Sequence, residues 1–154
     1  MPLWSAFTEA YVKKDFIWIR NIIKKMLIVF VFWILVGGIM LIGSNTIYGL
    51  WTGMELNIPY SLSAVVYLFM LTCCWNGIFI AFINGIGKIQ LQVLLSILPI
   101  LLMLPLSKLL ISVFHFGVTG IVLCMLLFNI ISSLMISIQV WKILRGTDRG
   151  IWAK

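Results

Sequence analysis

The sequence is poor in charge, since only 10% of its residues are Asp, Glu, Lys or Arg and only four residues are acidic. Hydrophobic residues make up 63% of the chain, and a soluble body of 154 residues has too little interior to bury them all. The shortage of charge therefore excludes an ordinary soluble domain. Most of the chain must be surrounded by lipid.

Acids and histidine are also scarce, which excludes several kinds of catalytic site. The chain has one histidine, and its acids stand before, between or after the long apolar runs: Glu9, Asp15, Glu55 and Asp148. An embedded hydrolase or glycosyltransferase needs acids or bases at the reacting centre. We therefore expect that the chain is not an enzyme and that it holds no metal and no cofactor.

Long charge-free runs predict transmembrane helices, because a helix needs about 20 mainly apolar residues to cross a bilayer. Four such runs are present: Met26 to Met54, Leu56 to Gly87, Ile89 to Ser107 and Leu109 to Trp141. Turn residues at their ends limit the predicted spans to 27–46, 60–83, 89–111 and 118–141. The predicted fold is an all-α integral membrane protein with four transmembrane helices after an amphipathic N-terminal interfacial segment.

The N-terminal segment, residues 1–25, is predicted to be a cytoplasmic amphipathic link rather than a fifth span. Its apolar residues recur at helical spacing in two groups: Trp4, Phe7 and Tyr11, then Phe16, Ile19 and Ile23. Asp15 is suited to cap the second group as a helix N-cap. We expect two short helices on the inner membrane surface, with a solvated lead-in helix as the alternative. Residues 26–141 form the transmembrane region and residues 142–154 a basic cytoplasmic tail.

Basic residues predict the orientation, because cationic loops stay on the cytoplasmic side of a membrane. Ten of the eleven lie before the first span, in the second connection or after the last span: Lys13, Lys14, Arg20, Lys24, Lys25, Lys88, Lys142, Arg145, Arg149 and Lys154. We therefore expect both termini in the cytoplasm. The net charge of +7 lies beside the spans, which favours anionic membrane lipid over nucleic acid as a partner.

Polar side chains gather around the second connection. Asn76 and Asn84 lie toward the end of the second span, and Gln90 and Gln92 begin the third, on the other side of Lys88. Such amides can line a wet cavity, or they can hydrogen-bond between helices near the inner interface. The residues leave both interpretations open.

Four short pieces of the sequence carry a family resemblance. They are Pro2 to Tyr11 followed by Asp15 to Ile19, then Asn84 to Lys88 with Gln90 and Gln92, then Phe116 to Gly120, and finally Arg145 to Trp152. Together they resemble polysaccharide biosynthesis proteins of the O-antigen flippase type, in the order found in the C-terminal region of that family. The pieces span nearly the whole chain.

The family resembles the multidrug/oligosaccharidyl-lipid/polysaccharide exporter superfamily. The resemblance implies about twelve to fourteen helices in two lobes, which move lipid-linked oligosaccharide across the bacterial inner membrane by alternating access. With four spans, this chain is similar only to the last third, so we expect a C-terminal portion that is not active alone. The Met before Pro2 suggests a truncated or split reading frame. The alternative is a small membrane subunit that assembles with a partner membrane protein.

In such a transporter, Lys88 and Lys108 are candidates to meet a pyrophosphate-linked glycan. The candidate sugar contacts are Asn76, Asn84, Gln90 and Gln92. The alternative interpretation places Lys88 among the inner headgroups and lets Lys108 extend to the outer interface, as long cationic side chains do.

Overall fold

The computed structural model describes residues 3–53 and 58–153, and these residues fold into helices joined by short connections. The elements are α1 (Leu3–Val12), α2 (Phe16–Ile42), α3 (Ser44–Thr52), α4 (Tyr60–Ile86), α5 (Gln90–Ser112), α6 (Gly117–Leu144) and a 3-10 turn (Gly150–Trp152). Pro2, Met54, Glu55, Leu56 and Lys154 lie outside the described residues.

Four of these helices are long and apolar enough to cross a membrane. They are α2 and α4 with 27 residues each, α5 with 23 and α6 with 28. At about 1.5 Å per residue each exceeds the roughly 30 Å thickness of the hydrocarbon core. The predicted fold class is confirmed: this is an all-α, multi-pass membrane protein with an additional N-terminal helix.

The chain turns sharply between α1 and α2, where the sequence predicts a break. Lys14 adopts a left-handed φ of 56°, and the backbone N–H of Asp15 reaches back to the carbonyl of Ala10 at 2.9 Å. The Asp15 side chain then accepts a hydrogen bond from the backbone N–H of Trp18 at 2.9 Å. Asp15 is therefore the N-cap of α2, as predicted.

Two predicted boundaries are wrong. Residues 16–25 do not form a separate short helix, because α2 continues from Phe16 to Ile42 without a break. No proline or glycine interrupts this stretch before Gly37, so nothing ends the helix at the membrane surface. The first span also ends at Ile42 rather than near 46. The chain after the first span begins with α3, which a hydrogen bond between Tyr48 Oη and Ser63 Oγ connects to α4 at 3.1 Å.

The long helices form an open row in the order α2, α4, α6, α5. Helices α4 and α6 pack together in the centre, α2 packs mainly on α4, and α5 packs mainly on α6. In the described part of the chain no substantial contact between α2 and α5 closes the row into a bundle. The accessible surface is 10153 Å², against the roughly 7,900 Å² expected of a compact monomer of this mass.

The buried core lies at one end of the row, called here the basic end: the start of α2, the ends of α4 and α6, and α1. Its members are Phe7, Ala10, Ile19, Ile23, Ile78, Phe79, Phe82, Ile83, Ile136, Val140 and Ile143. Phe7 from α1 meets Phe82 of α4 edge to face, with ring centroids 5.5 Å apart. Helix α1 is therefore a packed part of the protein rather than a solvated lead-in.

Gly85 permits this packing of α1 on α4. A Cβ at Gly85 would lie 2.6 Å from the backbone oxygen of Trp4 and 3.0 Å from Cβ of Phe7. The hydroxyl of Thr8 also donates to the carbonyl of Gly85. Since the obstructing atom is backbone, α1 has to move away if a side chain is added there.

We expect Gly85→Ala to loosen α1, at a cost of about 1–3 kcal/mol typical of overpacking. Gly77→Ala is the matched control in the same helix, because an added Cβ there has no atom within 4 Å apart from its chain neighbours and the adjacent backbone of its own helix. It should be neutral or stabilising by up to about 1 kcal/mol. Tryptic cleavage after Lys13 and Lys14 in detergent should quicken only in Gly85→Ala. Equal cleavage of both variants would contradict the close contact.

Candidate functional site at the basic end of the helices

A seam of polar side chains joins the two central helices. Three side-chain hydrogen bonds cross between them: Trp75 Nε1 to Ser137 Oγ at 3.0 Å, Asn76 Nδ2 to Ser132 Oγ at 3.4 Å, and Asn129 Nδ2 to Cys73 Sγ at 2.9 Å. Ser133 adds a fourth bond, to the carbonyl oxygen of Thr72 at 3.3 Å. At these positions the polar residues of α4 and α6 serve helix packing.

Lys88 lies in the turn between α4 and α5, where it connects three parts of the chain. Its ammonium pairs with Asp148 of the tail at 2.6 Å, and it lies 5.7 Å from the ring centroid of Tyr11 in α1. Its backbone carbonyl accepts a hydrogen bond from Nε2 of Gln139 in α6 at 3.2 Å. The same amide lies 3.4 Å from the carbonyl of Trp152. Lys88 thus holds α1, α6 and the tail together.

The charge of Lys88 is stable over the whole physiological range. Burial by itself would lower the pKa of Lys88, but its hydrogen bonds with Asp148 and Tyr11 outweigh burial and hold the pKa above the ordinary value of 10.5. Both side chains of the ion pair are less than one fifth exposed. Lys88 is therefore a cation whose carboxylate partner is already in place.

The structure separates the other predicted site residues. Asn84 and Gln90 are exposed near Lys88, whereas Lys108 is exposed 18 residues after Gln90, roughly 27 Å farther along α5. Asn76 and Gln92 each keep one buried amide oxygen that has no partner among the described residues. Lys108 therefore does not share a site with Lys88, while two amides retain an unused acceptor.

A groove between α2, α4 and α6 was not predicted from the sequence. Its volume is about 540 Å³, and three cations line it: Arg20 and Lys24 from α2 and Arg145 from the end of α6. We call it the basic groove. The sequence contains a signal for its walls, since residues 20, 23, 24 and 27 of α2 and residues 137, 140, 141 and 144 of α6 each follow helical spacing. The same spacing would equally describe two helices in direct contact.

Two of the groove's three cations, Arg20 and Arg145, are held by neighbours that carry no negative charge. Arg20 donates from Nη2 to the carbonyl of Leu144 at 2.9 Å, which uses one of its five N–H donors. The Arg145 guanidinium stacks on the indole of Trp141, 3.7 Å from the ring centroid. No acidic residue is among the described residues that line the groove. Its charge is therefore uncompensated, in contrast to that of Lys88.

No family model, no curated protein and no solved structure matches the chain. Within residues 3–53 and 58–153, no cluster of three or more His, Cys, Asp or Glu side chains could hold a metal ion. Cys73, Cys74 and Cys124 are free thiols. The function must therefore be inferred from the arrangement of the helices and from the chemistry at their basic end.

We expect Asp148→Asn to destabilise the packed tail by about 1–3 kcal/mol, because it leaves the Lys88 ammonium without its carboxylate. A double-mutant cycle that combines Asp148→Asn with Lys88→Met, measured by thermal unfolding in detergent, should give a coupling energy that shows the pair to be stabilising. The pKa of Lys88 is raised in the folded state, so the pair contributes fully below the unfolded-state pKa. The contribution is lost as pH rises through the folded-state pKa.

The difference in stability between wild type and Asp148→Asn should therefore stay constant from pH 7 to about 9 and shrink only above about 10.5. Glu9→Gln is the control, since its pair with Lys13 is exposed and connects α1 only with the residue that directly follows it. A difference that disappears already between pH 7 and 9 would show that the Lys88 pair does not hold the tail.

Proposed function

We propose that this chain is the C-terminal part of a transporter that flips lipid-linked oligosaccharide across the bacterial inner membrane, and that it acts in assembly with further transmembrane helices. Transport of this kind needs no covalent chemistry. The basic end is proposed to face the cytoplasm, since most of the basic residues lie there. The order of the four sequence pieces supports the family, and the open row of helices supports the assembly.

The open row is the observation that carries the proposal. In the most apolar 18-residue stretch, 0% of the residues of α2 and of α5 are buried, against 22% in α4 and in α6. A transporter that works by alternating access needs two sets of helices that move against each other around a cavity. The open row supplies one such set of helices, and its two uncovered edges are surfaces on which the second set of helices could pack.

Polar groups in the row suit contact with a glycan more than contact with a phosphate. The amide oxygens of Asn76 and Gln92 are buried without a partner, so they can accept hydrogen bonds from sugar hydroxyls once the helices around them move apart, as alternating access requires. Lys88, by contrast, is already paired with Asp148. Within the proposed transporter, Lys88 therefore serves to hold the tail, and the amides remain the better candidates for substrate contact.

A small membrane subunit is the second candidate function. The same uncovered edges favour it, because a subunit that docks on an unrelated membrane protein would also present α2 or α5 to its partner. The two candidates differ in the partner. The first requires a polypeptide that carries the remaining helices of a flippase, and the second requires a membrane protein of another kind.

Photo-crosslinking in cells tests the assembly. A photoreactive residue at Ile39 of α2 or Leu104 of α5, both more than two thirds exposed, should form a covalent adduct with a second polypeptide. The same residue at Phe82, which is fully buried, should form none and is the control. Mass spectrometry then identifies the partner. Adducts with lipid alone at both edges would overturn the assembly.

Deletion of the gene tests the transport. We expect lipid-linked oligosaccharide to accumulate on the cytoplasmic side and surface polysaccharide to fall by about tenfold or more, since flipping is the step between them. A plasmid copy of the gene should restore the surface polysaccharide. Surface polysaccharide that stays unchanged, together with an unrelated crosslinked partner, would favour the small-subunit function.

A further inference from the structure

The basic groove combines two surfaces of different chemistry along its length. Arg20 lies in the second turn of α2 and Lys24 one turn farther, while Arg145 caps the end of α6 on the other wall. Beyond these cations, Leu27, Trp75 and Phe79 form an apolar wall. The groove is thus cationic toward the ends of the helices and apolar one to two turns farther along them.

This order of surfaces matches the order of groups in a phospholipid. A bilayer places phosphate at the ends of its transmembrane helices and hydrocarbon one to two turns deeper. The distance from Arg20 to Leu27 along α2 is roughly 10 Å, which spans that boundary. A volume of about 540 Å³ is within the range of small-ligand sites, roughly 300–1,000 Å³.

We propose that the basic groove binds one anionic phospholipid from the membrane leaflet at the basic end. The phosphate lies between the side chains of Arg20, Lys24 and Arg145, and one hydrocarbon chain follows the apolar wall toward Trp75. The positive charge requires an anionic headgroup, since the described lining contains no carboxylate to balance it. The site does not depend on the transport proposed above.

Arg20 and Arg145 are arranged to receive the phosphate. The bond from Arg20 to the carbonyl of Leu144 directs this side chain across the groove and leaves further N–H donors unused. Stacking on Trp141 fixes the plane of the Arg145 guanidinium in the same way. Guanidinium groups with a fixed plane recognise phosphate through paired hydrogen bonds.

A second cavity allows a control that distinguishes specific lipid binding in the basic groove from general electrostatic attraction to the protein surface. It lies against other residues of α2 and α4, has about 470 Å³ and is lined by Lys25, Trp33 and Cys74 among others. Lys25 is the only cation among the described residues that line it. Removing Lys25 together with Lys14 and Arg149 lowers the net charge by three without touching the basic groove.

Native mass spectrometry of the detergent-solubilised full chain tests the proposal. Phosphatidylglycerol and phosphatidylcholine of the same chain length are added in rising amounts, and the first bound lipid is measured. We expect one phosphatidylglycerol to bind at least about tenfold more tightly than phosphatidylcholine. The variant Arg20→Gln, Lys24→Gln, Arg145→Gln should lose that preference, and the charge-matched variant Lys14→Gln, Lys25→Gln, Arg149→Gln should keep it.

Leu27→Trp provides a second variant that keeps all three cations and fills the apolar part of the groove. It should weaken the binding of the first phosphatidylglycerol at least about tenfold. This variant therefore tests the proposal even if the triple variant does not fold. Competition with inorganic phosphate distinguishes a lipid from a free anion. Displacement of the lipid by millimolar phosphate would identify an anion site and overturn the proposal. An equal loss of the preference for phosphatidylglycerol in both triple variants would show that only general surface charge attracts the lipid, and it would also overturn the proposal.

Discussion

The contact between α4 and α6 is the interaction on which the other elements depend. Helices α1 and α2 pack on α4, and α5 and the 3-10 turn pack on α6, so each half reaches the other mainly through these two helices. Lipid is as apolar as leucine, so the hydrophobic effect does little to hold helices together inside a bilayer. Four hydrogen bonds along the seam, at about 0.6 kcal/mol each, supply roughly 2–3 kcal/mol in its place.

Burial is concentrated at the basic end for a related reason. Phe7 and Phe82 lie where helices emerge from hydrocarbon, and there water makes the burial of aromatic rings favourable. Farther into the membrane the same rings would lose little by facing lipid. The core therefore forms around α1 and the ends of α4 and α6, and the Lys88–Asp148 pair closes it against the tail. The rest of the row remains open because the hydrophobic effect does not drive its closure inside a bilayer, which leaves its edges accessible to lipid or to further helices.

Local features of the sequence were sufficient to predict the four long helices, but not that α2 continues unbroken from Phe16 into the first span or that α3 is present. Features that depend on distant residues could not be predicted. The charge-free runs predict four long helices, and Asp15 predicts the start of α2 by its own side-chain chemistry. The order of the row cannot be predicted from any one helix, because the largely apolar surface of each helix does not specify the neighbour on which it packs. Arg20 and Arg145 are 125 residues apart in sequence, so their meeting across a groove could not be predicted from spacing. The partner of Lys88 was missed for the same reason.

The two groups of cations at the basic end have different consequences for function. A lysine that already has a carboxylate at 2.6 Å gains little from a phosphate, since a new anion would first have to displace Asp148. Arg20, Lys24 and Arg145 face no acid in the described lining, and their mutual repulsion falls when an anion enters. Anion binding at the basic groove therefore relieves repulsion, and at Lys88 it would break an existing pair. Electrostatics thus favour the groove over Lys88 as a site for an anionic headgroup.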